Sequence, residues 1–172
     1  HQTRLRVASQ LNDVAGLEAA VRNWIRVSPH LETPWREAAV IWRRRGDTDR
    51  AIALLEEGRA RIDRRDALAL ELGDAHAAAG NHEQAAEHWA RAIGEQGRGL
   101  MLVQRRLQGL TDGGARIIPH LVDRLLEKPT TFARMRGAAM LAIDAGLGRR
   151  AIEAIALLEK HPLEPQQREQ LT

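Results

Sequence analysis

The chain contains no cysteine and no tyrosine, a single phenylalanine, Phe132, and only two lysines, Lys128 and Lys160. Without cysteine there is no disulfide framework, no thiolate metal site and no cysteine nucleophile. So few aromatic side chains leave little to stack on bases or sugars. Long apolar runs are missing too. An Arg, Asp or Glu interrupts every stretch short of the ~18 residues that a membrane-spanning helix requires, so membrane insertion is not expected.

What is present describes a folded chain. Of 172 residues, 44% are apolar and 28% charged, which excludes a wholly disordered segment. The pI of 10.4 exaggerates the basicity, because 26 basic against 23 acidic residues leave a net charge of only +3. Nearly all the cations are Arg, which keeps its proton where Lys loses it, so a small Arg excess drives the pI upward. A nucleic-acid domain would show a larger excess, and nucleic acid is not an expected partner.

Internal repetition organises the sequence. Gly46, Gly80 and Gly114 are spaced by 34 residues, and Gly146 follows 32 later. Five residues beyond three of these glycines stand Ala51, Ala85 and Ala151; nine beyond them stand Leu55, Trp89 and Ile155. Carried back one period, the frame puts a turn at Asn12 and Asp13, with Leu17, Val21, Trp24 and Pro29 downstream. Each unit reads as two helices. Trp35, Ala38, Ala39 and Trp42 share one helical face. Pro34 sits in a first turn with Thr33 as expected cap, Gly46 stops the helix, and Asp47 or Thr48 caps the next. Pro119 stands where other units have Ala, so its helix is expected to start late, near Ile117 or Ile118.

This 34-residue helix-turn-helix spacing resembles the tetratricopeptide repeat. Trp35 and Trp42 take the family's Trp and Tyr positions in one unit, and Leu72 and Gly73 take its Leu-Gly positions in the next. Ala51, Ala85 and Ala151 match the second-helix Ala, with Pro29 and Pro162 at or beside the closing Pro. The resemblance implies an all-α, right-handed superhelical solenoid of about five repeats. The expected segments are 1–31, 32–65, 66–99, 100–131 and 132–163, with a following helix beginning in 164–172. The chain begins at His1 without Met, and an excerpt from a longer array is expected.

Local chemistry is sparse. His82 and His88 superficially suggest a zinc helix, but six residues separate them where the motif needs one helical turn. His76 replaces an aromatic core position and reads as a packing residue, and the four tryptophans fall where helices pack. The segment 109–114 lacks the Lys-Ser/Thr of a phosphate loop. No catalytic residue, metal or cofactor is expected.

The resemblance further implies a concave groove lined by the first helices of successive units. Its expected lining is Arg6, Arg36, Val40, Arg43, Arg44, Leu70, Asp74, Ala77, Gln104, Gln108, Arg136, Met140 and Ile143. Arg would suit a protein or peptide carrying acidic residues, since it forms paired bonds to carboxylates. The Lys/Asn clamp of the chaperone-binding members is not expected, because the matching positions hold Arg36, Val40, Leu70 and Asp74. The function implied is a protein-protein interaction scaffold. A Cys-free, Arg-rich array is also similar to the periplasmic repeat arms of bacterial exopolysaccharide export proteins of the Pel and cellulose type, and envelope assembly factors have similar repeats. The alternatives are an anionic polymer, polysaccharide or nucleic acid, held by the Arg-lined groove, and self-association through exposed repeat ends.

Overall fold

Three of the turn glycines end their helices in the same way. Gly46, Gly80 and Gly146 adopt left-handed backbone angles, with φ of +81°, +77° and +68°. The amide of each reaches back three residues, to the carbonyls of Arg43, Ala77 and Ile143. The following amides, of Asp47, Asn81 and Leu147, reach back five residues to Trp42, His76 and Ala142. This paired closure is the Schellman motif, and glycine adopts its left-handed turn without steric cost.

The computed structural model describes residues 13–161, which contain nine α-helices and no strand. In chain order they are α1 (Val14–Val27), α2 (Glu32–Arg44), α3 (Thr48–Ile62), α4 (Ala69–Ala78), α5 (His82–Ile93), α6 (Leu100–Gln108), α7 (Ile118–Leu126), α8 (Phe132–Asp144) and α9 (Gly148–Lys160). The protein is therefore all-α. No described helix is long and apolar enough to cross a membrane. The chain divides into two compact units, His1–Arg91 and Ala92–Thr172. Arg6, Asn12, Pro162 and the helix expected in 164–172 lie outside the described residues.

Some of the described helix starts are capped by a side chain and others are not. Asp13 accepts from the Gly16 amide at 2.9 Å and Asp47 from the Arg50 amide at 3.1 Å, each satisfying a donor that the first turn leaves open. Thr33 does not cap α2. That helix begins at Glu32, after Leu31, which makes no side-chain cap bond. Buried Pro34 thus lies in the first turn, where its missing N–H removes no helical hydrogen bond. α7 begins at Ile118 with Pro119 in its first turn, as the position of that proline requires.

In the first unit, Leu17, Val21 and Trp24 of α1 meet Trp35, Ala38, Ala39 and Trp42 of α2 in one cluster with Ala51, Leu55, Leu68, Leu72 and Ala75. All four tryptophans are buried. Two rest on glycine. A Cβ on Gly58 of α3 would stand 2.7 Å from the Trp35 indole, and one on Gly73 of α4 would overlap the Trp89 indole of α5. Glycine at these positions lets the helix axes approach. Trp35 Nε1 donates to the Pro29 carbonyl at 3.0 Å, and Trp89 Nε1 donates to Asp74 Oδ1 at 3.3 Å.

In the second unit the core is aliphatic. Val103 and Leu107 of α6, Leu121, Val122 and Leu125 of α7, and Met135, Ala138 and Ala142 of α8 are buried. α8 packs against both α7 and α9. At the surface, Arg150 of α9 grips Asp123 of α7 with two bonds, Nε to Oδ1 at 2.7 Å and Nη2 to Oδ2 at 2.9 Å.

Candidate binding faces and a buried polar cluster

On the first unit, the expected groove residues differ in how free they are. Arg36 is half-buried and held internally: Nη2 lies 3.0 Å from Glu32 Oε2, and Nε lies 2.6 Å from Glu71 Oε1 on α4. Its charge is spent joining α2 to α4. Asp74 is engaged by Trp89 Nε1, so it too serves the packing. Val40, Leu70 and Ala77 are half-buried. Arg43 and Arg44 make no salt bridge among the described residues, and Arg44 is exposed. These two arginines are the available cations of the face.

On the second unit, Gln104 and Gln108 stand one turn apart on α6 and line a cleft of about 500 Å³. Its lining includes Leu107, Ile118 and Leu141, with Asp112 and Asp144 as its acidic members. Arg136, Met140 and Ile143 repeat along the exposed side of α8, and Met140 and Ile143 are 42% and 58% exposed. Leu141, Asp112 and Asp144 were not among the residues expected from the sequence: Asp112 stands in a turn outside the first helices, and Leu141 and Asp144 lie on α8 beside the positions that were named.

A second cleft, of about 490 Å³, lies on the first unit between the C-terminal part of α3 and α5, lined by Glu56, Arg59, Asp63, Arg64, Arg65 and Arg91. Most of these charges are matched: Arg59 pairs with Glu56 at 2.5 Å, Arg64 with Asp66 and Glu32, and Arg91 with Glu87.

Two of its lining residues, Glu56 and Arg91, approach a buried pair of histidines. The rings of His76 on α4 and His88 on α5 stack with centroids 5.2 Å apart and planes within 6°. They are 9% and 5% exposed. Glu56 of α3 brings Oε1 to 3.6 Å from His88 Nε2, while its other oxygen holds Arg59. One potential ligand atom from each of Glu56, His76 and His88 lies within 4.8 Å of the other two. Burial pushes the His88 imidazole down to about 3, with Arg91, His76 and Arg59 adding to the effect. Burial also lowers His76, against the pull of Glu56. Both rings are therefore neutral at pH 7.

The sequence held a signal for this cluster. The residue four before each turn glycine is Trp42, Leu110 or Ala142 in other units, and the residue eight after is Leu54, Val122 or Ala154. His76 and His88 are the polar exceptions at these two positions, around the same glycine, Gly80. No known family model matches the chain, and no curated protein matches it.

Proposed function

We propose that the chain is a protein-protein interaction scaffold, a section of a right-handed tetratricopeptide-like solenoid that holds a partner protein or peptide on the faces of its first helices. The observation that carries this reading is the cleft at Gln104 and Gln108, an apolar floor with polar side chains beside it and exposed Met140 and Ile143 on the neighbouring helix. An apolar floor with a few placed polar groups suits an inserted side chain from a peptide. The shared Schellman closures and the 34-residue glycine spacing support the repeat architecture. A role in bacterial exopolysaccharide export, in the periplasm, rests on the Arg-rich, Cys-free composition alone.

Polymer binding by an Arg-lined groove is the alternative, and the internal pairing of Arg36 counts against it. Selection from a random-peptide display library tests the two. Peptides with a shared apolar anchor are expected, and Met140→Glu should weaken them by tenfold or more. No enriched peptide, with binding instead to a polyanion such as heparin or single-stranded DNA that is lost in Arg43→Glu/Arg44→Glu and at raised salt, would overturn the scaffold reading in favour of the polymer one.

A further inference from the structure

We propose that Glu56, His76 and His88 form a binding site for a divalent transition-metal ion of the zinc class, closing α3, α4 and α5 around it. Two imidazoles and a carboxylate are a donor set that suits zinc, with a fourth position left open. Each ligand comes from a different helix, so an ion would tie together elements that otherwise meet through packing. Both rings are buried and neutral, the form that coordinates a metal.

The polar contacts of the two histidine rings are long. Asn81 Nδ2 lies 3.4 Å from His76 Nδ1, Arg91 Nη1 lies 3.5 Å from His88 Nδ1, and Glu56 Oε1 lies 3.6 Å from His88 Nε2. Good N–H···O bonds are shorter, at about 2.7–3.2 Å. Two histidines thus replace apolar residues at the repeat's core positions without gaining strong hydrogen bonds. An ion would satisfy all three donors at once. Glu56 also lines the Arg-rimmed cleft, whereas the two histidines are buried.

Binding requires two adjustments. Donors around a tetrahedral zinc ion stand about 3.3 Å apart, so the present 4.8 Å spread must contract. The rings are nearly parallel, and one must turn about its Cβ–Cγ bond for both lone pairs to meet one ion. Arg91 works against the site, since its guanidinium is a like charge that donates toward His88 Nδ1. A metallated His88 would carry its proton on that nitrogen and need an acceptor there. Arg91 is exposed and already paired with Glu87, so it is free to withdraw.

The test is titration of the metal-free full chain with Zn²⁺ in competition with a chromophoric chelator, alongside the visible absorption of the Co²⁺ form. One equivalent is expected to bind, with a four-coordinate Co²⁺ spectrum and a raised thermal midpoint. His88→Gln should abolish it. Glu56→Gln, at a partly exposed position that leaves the core intact, should weaken it by about tenfold or more. Arg91→Gln should tighten it. No uptake by the wild-type chain, unchanged uptake in Glu56→Gln, or weaker uptake in Arg91→Gln overturns the assignment.

Discussion

The indole of Trp89 lies on the α-carbon of Gly73, so a methyl group at residue 73 would stand 2.8 Å from Trp89 Cγ and closer still to the ring edge. Neither side can yield, because Trp89 is 1% exposed and its Nε1 bonds to Asp74, the next residue on α4. Gly73→Ala should therefore destabilise the protein by about 2 kcal/mol, despite alanine's higher helix propensity. Urea unfolding would measure it. Adding Trp89→Leu should recover part of the loss, giving a non-additive pair.

Gly80 presents the opposite case. Nothing lies within 4 Å of where its Cβ would be, so only its φ of +77° forbids a side chain. Gly80→Ala should cost about 1 kcal/mol, and Gly80→Asn less, since asparagine tolerates the left-handed region. Equal costs in thermal unfolding would show that the backbone angle does not set the requirement.

Acid should weaken the first unit before its carboxylates titrate. The unfolded chain protonates histidine near 6.5, whereas folded His88 holds out to about 3 and His76 is also lowered. More protons bind the unfolded state across that window, so stability is full above pH 6.5 and falls as pH drops toward 3. The slope is about 1.4 kcal/mol per pH unit for each histidine kept neutral. Denaturation from pH 7 to 5, with chelator present, should show this slope, and His88→Leu should flatten it.

The Asp123–Arg150 pair makes a smaller contribution. The Arg150 hydrogen bonds hold the Asp123 carboxyl below its usual 3.8, overcoming the opposing effect of burial. Its stabilisation is present above 3.8 and is lost as pH falls through the depressed value. Both side chains are over a third exposed, so Asp123→Asn should cost only about 0.5 kcal/mol. The loss should shrink in concentrated salt; a salt-independent loss would contradict this account.

The all-α class, the glycine-closed helix ends and the buried tryptophans were legible because they rest on local periodicity and turn chemistry. Thr33 was misread because a Thr-Pro step looks like a helix start, whereas α2 begins at Glu32. The fate of Arg36 was not legible: its partner Glu71 stands on another helix, and spacing within a helix says nothing of such a pair. The same holds for Glu56, His76 and His88, which come from three helices. His82 shares a helix with His88 but stands six residues away, while the ring that stacks on His88 comes from across the turn, at His76.

The two tryptophan-on-glycine contacts run in opposite directions. In α2–α3 the indole, Trp35, projects from the first helix and the bare backbone, Gly58, belongs to the second; in α4–α5 the first helix carries Gly73 and the second Trp89. A chimera joining α2 to α5 would oppose two indoles, and one joining α4 to α3 would leave two glycines facing a gap. Gene recombination in this region would therefore be tolerated only at junctions that preserve each hairpin whole, making the hairpin, and not the single helix, the unit of inheritance.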